Sequence, residues 1–286
     1  MPILPHRLKD QLKSGTIDRR FPLPFSVRSE DKASILQHAI DWAMEAGRMQ
    51  LQKFRSRHLQ MDTKTTVADV VTEVDQECEQ FLMREIRAAY PSHSILGEET
   101  GDHRGDSEWQ WVVDPLDGTN NYSQGLPIFA VSIGVQRCGV TQVGVVYVPY
   151  LDELFTASRG DGAAWNGKAI HVSRKTELAE CVVGTGFPYD KATHPVNNLD
   201  NVCRILPQVR GLRRMGAAAY DLCCVACGML DAYWELDLKP WDACAGSLIV
   251  EEAGGVVRPF RNDRHISIVA GNEKIVSEIF RNLTEK

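Results

Sequence analysis

Apolar residues return at helical spacing after Ser29: Ile35, Leu36, Ala39, Ile40, Ala43, Met44, Leu51 and Phe54 fall on one side of a helix. Ser29 is a suitable cap for its start. A second helix is predicted to open at Thr72, with Val74, Cys78, Phe81, Leu82 and Ile86 on one face. Short apolar strands follow around Ile95-Leu96 and Trp111–Val113. Each ends in acid, Glu98-Glu99 after the first and Asp114 after the second. Runs at Phe129–Val135, Val143–Val148 and Leu154–Ala157 read as strands. Glycine-rich turns near Gly160–Gly162 and Asn166-Gly167 point to antiparallel pairing there.

Beyond about residue 177 strands and helices alternate. Val182–Thr185 and Ala232–Glu235 read as strands. Pro195–Val209 and Ala217–Cys227 read as helices, and Pro240 opens another that stops at Gly254-Gly255. Ile266–Val269 and a helix from Glu273 complete the chain. The pattern predicts an α+β half over residues 29–176 and an α/β half over 177–286, without repeats or a linker. Residues 1–28 show no lasting periodicity and read as a loosely attached arm.

Composition excludes more than it assigns. The formal net charge of -6 argues against a broad nucleic-acid surface. No apolar run approaches the ~20 residues of a membrane helix, and no signal-peptide pattern stands near Met1. The expected compartment is therefore a reducing cytoplasm. Of the eight cysteines, Cys223, Cys224 and Cys227 sit in a helical pattern and read as small core side chains rather than a metal or redox site.

The acids change the picture. Strand Trp111–Val113 delivers Asp114 to a strand end, and Pro115 is expected to stop the ladder there. Asp117 follows three residues later, where a turn can bring both carboxylates to one side. Gly118 permits close backbone approach, Thr119 adds a hydroxyl, and Asn120-Asn121 reads as an exposed loop with N–H groups suited to phosphate. Carboxylates without histidine or thiolate partners favour magnesium, manganese or calcium, and magnesium commonly shares its shell with phosphate. An Asx-turn explains the same Asp-x-x-Asp spacing without any metal. Asp242 follows Pro240 in a first helical turn, where an acid also serves the helix dipole. Asp75 lies three residues after Thr72, the spacing of a capping box.

Five segments together resemble the signature motifs of the inositol monophosphatase family: Val71–Asp75 (VTEVD), Leu96–Glu99 (LGEE), Trp111–Tyr122 (WVVDPLDGTNNY), Arg214–Asp221 (RMGAAAYD) and Lys239–Gly246 (KPWDACAG). They stand in the family's order and at its approximate spacing, from about residue 30 to the end of the chain. The resemblance implies the layered αβαβα sandwich shared by inositol monophosphatases and fructose-1,6-bisphosphatases. It also implies a magnesium-dependent, lithium-sensitive phosphatase that forms a homodimer.

Residue by residue, the resemblance implies a first magnesium held by Glu98, Asp114 and the carbonyl of Leu116. A second would be held by Asp114, Asp117 and Asp242, and a weaker third ion would lie near Glu98. Two dications of this kind clamp a phosphate and stabilise attacking and leaving oxygens. The implied nucleophile is a water oriented by Thr119 with Asp75, and Glu99 would fix waters around the ions. Leu116, Gly118 and Thr119 would also contact the substrate, and Asp117 with Asp242 would reach the hydroxyls beside the ester. Gly216, Ala217, Ala218, Glu235 and Asp242 would border the polyol, and Lys64 would lie near the site entrance. A solvated lysine and a rim acid are the plain alternatives for Lys64 and Glu235.

Within the superfamily, Asn120-Asn121-Tyr122 and Gly125–Ala130 look most like the bacterial-type inositol-1-monophosphatase branch. Histidinol-phosphatase and 3′-nucleotide phosphatase relatives more often carry lysine where Asn120 stands, while archaeal-type fructose-1,6-bisphosphatases share much of the remaining pattern. The expected reaction is hydrolysis of a small polyol phosphate, with myo-inositol monophosphate first. A catalytically silent interaction protein is disfavoured, because every metal-acid position and the Thr119–Asp75 pair are filled.

Overall fold

A computed structural model describes residues 29–56, 59–63 and 70–283. The predicted arm 1–28 and Lys64 lie outside the described residues. Helix α1 spans Ser29–Lys53, and a small antiparallel ribbon, β1 (Met61–Thr63) with β2 (Val70–Thr72), leads into α2 (Glu73–Ala89). An eight-stranded sheet follows. Its strands are β3 (Ser94–Gly97), β4 (Gly101–His103), β5 (Trp109–Asp117), β6 (Ala130–Arg137), β7 (Val140–Val148), β8 (Glu153–Ser158), β9 (Gly162–Trp165) and β10 (Lys168–Ala169), in spatial order β10-β9-β8-β7-β6-β5-β3-β4. The run from β5 to β10 is antiparallel throughout, as the turn glycines predict, and β3 pairs parallel to β5. A short helix α3 (Thr119–Ser123) leaves the end of β5.

The second sheet has the order β12-β11-β13-β15-β14, built from β11 (Val182–Thr185), β12 (Gly211–Arg213), β13 (Ala232–Leu238), β14 (Val256–Pro259) and β15 (Ile266–Gly271). Its helices are α4 (Leu199–Ile205), α5 (Ala218–Ala226), α6 (Pro240–Glu252) and α7 (Glu273–Phe280). Helices α1 and α2 cover one face of the large sheet, α5 and α6 fill the space between the sheets, and α7 covers the far face of the small sheet. The layers therefore run α, β, α, β, α, as the family resemblance implies.

Strand alternation sorts the side chains between layers. On β6, Val131, Ile133 and Val135 join the core under α1 and α2, whereas Ala130, Ser132 and Gly134 face α6. On β13, Ala232, Trp234 and Leu236 enter the core beneath α7, while Tyr233 faces the central layer. Glu235 shares the parity of Tyr233 and receives its hydroxyl hydrogen bond. Alternation thus sends this acid toward the space between the sheets. Cys223 and Cys224 are buried on α5 and Cys227 is half-buried at its C-terminal cap, all three as free thiols in or against the central core.

Several expectations need correction. The predicted helix Pro195–Val209 is regular only over Leu199–Ile205, with a 3₁₀ turn at Leu206–Gln208. Asn198, at φ 77°, turns its side chain back to Thr185, Gly186 and Trp234 instead of continuing a helix. Pro115 does not end β5. The ladder to β6 breaks between Asp114 and Asp117 and resumes at the Asp117–Ala130 pair, so the two acids are joined by a strand irregularity rather than a turn. Asn120 and Asn121 are helical, and Asn121 is buried, donating to the carbonyls of Ile128 and Met215. Strands β4, β9, β10, β12 and β14, of two to four residues each, were too short for a periodic signal.

One close approach positions the central layer. Gly134 and Gly144 are cross-strand partners on β6 and β7. A Cβ on Gly144 would stand 2.8 Å from the Ala245 carbonyl, and one on Gly134 would overlap the Cys244 sulfur. Helix α6 can therefore lie directly on the sheet, with the Ser132 hydroxyl donating to the Trp241 carbonyl at 3.1 Å beside Asp242. Gly144→Ala is expected to destabilise the protein by about 1–3 kcal/mol, read as a lower urea midpoint. An unchanged midpoint would mean that α6 can ride higher on the sheet without cost.

Candidate active site

The irregularity in β5 leaves main-chain groups without ladder partners, and side chains satisfy them. The buried Gln50 amide of α1 donates to the Pro115 carbonyl at 2.7 Å, and the Leu116 N–H donates to Asp114 Oδ1 at 3.0 Å. The Thr119 hydroxyl contacts the Leu116 carbonyl at 2.9 Å and Asp75 Oδ1 at 2.8 Å. It has one proton for two acceptors. Donation to Asp75 leaves its lone pairs available to a water. Gly118, at φ 90°, makes the turn into α3. A Cβ there would stand 2.9 Å from the Ile128 carbonyl and 3.2 Å from the Ala217 side chain.

Three neighbouring acids are anchored by backbone on the same principle. Asp75 Oδ2 accepts from the Thr72 N–H at 2.9 Å and the Thr72 hydroxyl at 2.6 Å, which completes a capping box at the start of α2. Asp242 Oδ2 accepts from the Lys239 N–H at 2.7 Å at the start of α6. Asp117 reaches across the chain: Oδ1 accepts from the Ala218 N–H at 3.2 Å and Oδ2 from the Ala219 N–H at 2.8 Å, at the N-terminus of α5. For Asp75 and Asp242 the capping alternative is therefore realised, and it occupies one carboxylate oxygen of each.

A pocket of about 260 Å³ opens between the sheets. Asp117, Gly118, Thr119 and Asn120 form one side, Gly216, Ala217, Ala218 and Asp221 the base of α5, and Glu235 and Asp242 the opposite side. The segments Thr185–Asp190 and Leu236–Lys239, with Arg214, complete the wall. Asp75, Glu98, Asp114 and Leu116 are not wall residues. Asp75 stands behind Thr119, and Asp114 lies behind the wall in electrostatic contact with Glu98, Asp117 and Asp242.

Electrostatics in this cluster are unfavourable for a cation-free protein near neutrality. Burial, then repulsion from Glu98, Asp117 and Asp242, drives the Asp114 carboxyl far above its usual range. Burial pushes Asp117 up to about 7, although the Ala219 and Ala218 N–H groups pull the other way. Burial and the neighbouring Asp117 push Asp242 up to about 8. Burial also raises Glu235, against the opposing pull of the Tyr233 hydrogen bond and Arg214. Bound cations would reverse this repulsion and keep the carboxylates ionised.

The donor chemistry fits a hard cation. Asp114, Asp117 and Asp242 offer only oxygen, and no histidine or cysteine lines the pocket. Among the described residues, no three Asp, Glu, His or Cys side chains are placed, as they stand, to hold a metal ion together. The fit rests on oxygen donors and mutual repulsion, and magnesium, which typically retains waters and shares substrate phosphate, suits such an open arrangement.

Several contributors carried no role in the sequence reading. Glu79, buried one helical turn after Asp75, accepts the N–H groups of Glu99 at 2.9 Å and Thr100 at 2.7 Å and so fixes the backbone after Glu98. A Cβ on Gly97 would stand 2.6 Å from its carboxylate. Its signal was an acid on the apolar face of α2. Asp221 is buried, lines the pocket, and has one oxygen, Oδ1, without a hydrogen-bond partner. Burial, then Glu235 and Asp117, raise its carboxyl well above the usual range. Tyr233 donates to Glu235, and Gly186 leaves the room that this carboxylate fills.

Comparison with known proteins identifies the family. The profile described as the inositol monophosphatase family matches residues 31–285. Nus factor SuhB of Pasteurella multocida is 41% identical over 255 residues, covering 87% of this chain and 95% of the relative. An inositol-1-monophosphatase of Mesorhizobium japonicum is 39% identical, covering 85% and 94%. The solved structure of the extragenic suppressor protein suhB from Bartonella henselae superposes with a TM-score of 0.83 at 38% identity, covering 88% of this chain and 99% of that one. By sequence and by fold, the chain belongs to the inositol monophosphatase family.

Proposed function

We propose that the pocket hydrolyses the phosphate monoester of a small polyol in a magnesium-dependent reaction, with myo-inositol monophosphate as the first candidate substrate. The observation that carries this reading is the meeting, at one pocket, of Thr119 hydrogen-bonded to Asp75, the acids Asp117 and Asp242, and Glu235 on the side that a polyol would occupy. Family membership and the relative named inositol-1-monophosphatase support it.

In this reading Glu98, Asp114, Asp117, Asp242 and the Leu116 carbonyl hold magnesium. The ion supplies charge neutralisation at the phosphate and lowers the pKa of the attacking water. The protein's own contribution is placement. Asp75 keeps the Thr119 hydroxyl turned so that its oxygen accepts a hydrogen bond from the attacking water and aligns it. As the water gives its proton to Thr119, Asp75 takes the Thr119 hydroxyl proton, and the main chain at Gly118 and Thr119 borders the phosphate. Glu235, fixed by Tyr233, accepts a polyol hydroxyl, and the Gly216–Ala218 backbone closes the pocket beneath the ring. Glu99, on a backbone held by Glu79, orders waters around the acids.

The deciding experiment is a panel of phosphate esters at equal concentration: myo-inositol 1-phosphate, fructose 1,6-bisphosphate, histidinol phosphate and a 3′-phosphorylated nucleotide. It is run with magnesium titration, a chelator control and lithium. Chelator-reversible turnover with inositol phosphate as the best ester is expected, together with inhibition by lithium. Relatives also bear the name Nus factor SuhB. Absence of turnover on every ester would favour a non-catalytic role instead.

Two substitutions test the assigned roles. Asp114→Asn should abolish turnover with the fold intact by circular dichroism, and near-normal activity would remove Asp114 from the metal site. Thr119→Ala should lower kcat by about a hundredfold or more with a small change in KM. A raised KM with kcat preserved would restrict Thr119 to binding phosphate.

The raised carboxyl pKa values also predict a stability profile. Asp117 and Asp242 hold protons in the folded, cation-free protein up to about 7 and about 8, whereas the unfolded chain releases them in the ordinary carboxylate range. The folded state therefore binds more protons between these limits, and stability falls as pH rises through them. In chelator, Tm should decline from about pH 5 to about pH 8, and magnesium should flatten that decline. A Tm that rises over the same interval in chelator would contradict the assignment.

A further inference from the structure

The pocket wall from Gly186 to Asp190 has no strand or helix of its own. It follows β11 and precedes Asn198 and α4, and its backbone hydrogen bonds after Pro188 are local, such as Lys191 N–H to the Pro188 carbonyl and His194 N–H to the Asp190 carbonyl. Facing it, β13 is also irregular where it borders the pocket. Its pairing with β15 shifts between Glu235 and Leu238, and Asp237 adopts φ 66°, a conformation that is uncommon outside glycine. Two irregular segments thus form opposite parts of one binding wall, and neither is fixed by a regular ladder.

One side chain joins them. Arg264, from the segment between β14 and β15, has a side chain only 6% exposed and is not a wall residue of the pocket. Its Nη2 donates to both carboxylate oxygens of Asp190 at 2.8 Å and to Asp237 Oδ2 at 2.8 Å, and Nη1 donates to the Val196 carbonyl at 2.6 Å. The other oxygen of Asp237 is engaged by His265 Nδ1 at 2.7 Å, and the Asp237 N–H donates to the Ser267 hydroxyl at 3.2 Å. The planar guanidinium is suited to this geometry because its donors diverge in fixed directions, whereas a lysine ammonium offers one compact charge.

We propose that Arg264 is a positioning residue for substrate binding: by tying Asp190 and Val196 to Asp237, it holds the Gly186–Asp190 wall against the end of β13 that carries Glu235. This rests on the phosphatase reading of the same pocket. The tie makes no hydrogen bond with Thr119 or Asp75, its partners being Asp190, Val196 and Asp237, so its loss acts on the polyol side. A loosened wall must be ordered by the ligand, which weakens binding of an ester large enough to touch it and leaves the chemical step unchanged.

The test compares the unaltered chain with Arg264→Ala, Arg264→Lys and Asp237→Gly at saturating magnesium, on myo-inositol 1-phosphate and on methyl phosphate, which is too small to fill the pocket. Arg264→Ala should raise KM for the inositol ester about five- to twentyfold, with kcat within about twofold and the methyl phosphate KM unchanged. Arg264→Lys should fall between. Asp237→Gly keeps the backbone conformation accessible but also removes a pocket-lining side chain, so its KM increase supports the tie where Arg264→Ala, which leaves the wall's side chains in place, gives the same increase. A purely structural role would reduce the folded, active fraction, which lowers apparent kcat and leaves KM in place. That result, or an unchanged KM in Arg264→Ala, overturns the proposal. No turnover by the unaltered chain on either ester would instead overturn the phosphatase reading on which it rests.

Discussion

Carboxylates of like charge buried side by side repel one another, and this chain prevents them from relaxing apart by fastening them to the main chain. Asp75, Asp114, Asp117 and Asp242 each accept at least one backbone N–H, from Thr72, Leu116, Ala218 with Ala219, and Lys239 respectively. Each such bond removes freedom from the side chain and offsets part of the desolvation cost, without supplying a full countercharge. What remains is a fixed cluster of carboxyl groups that a bound cation would keep ionised. That is the property a phosphate-handling cation site needs, and it is held at the expense of stability in the cation-free protein.

The layered fold serves this constraint. Asp117 stands near the end of β5 in the large sheet, yet its partners begin α5 in the central layer, about a hundred residues later in sequence. Asp242 begins α6, whose close seat depends on the absence of side chains at Gly134 and Gly144. The same two helices pack against each other and against both sheets. Movement of the central layer relative to the large sheet would therefore disturb the acids directly. The side of the pocket around Glu235 is built differently, from strand irregularity and side-chain ties at Asp237, Tyr233 and Arg264. Such a wall can vary in shape while the acid cluster stays fixed.

Capping and chemistry looked like competing explanations for Asp75 and Asp242 when only spacing was available. Spacing cannot separate them, because a carboxylate has two oxygens and can do both. At Asp75 the capping box uses Oδ2 and the Thr119 contact uses Oδ1. Glu79 escaped notice for a related reason. An acid among apolar positions on a helix is an anomaly, but its meaning depends on the Glu99 and Thr100 N–H groups that the fold brings to it. The helix expected over Pro195–Val209 failed at its N-terminal side because Asn198 has better partners across the small sheet than in a helical turn.

By itself, the sequence determined the long helices, the antiparallel run of the large sheet and the clustering of acids at element ends. These follow from local periodicity and from breaker residues at fixed positions. The motif set also determined the family, because several spaced segments agreed at once. Only the tertiary structure decided that Asp117 bonds to α5, that β5 continues through Pro115, that Asp114 stands behind the pocket wall, and that Arg264 spans two irregular segments. Each of these depends on groups far apart in the chain whose meeting is set by sheet order and helix packing, and no local pattern encodes that distance.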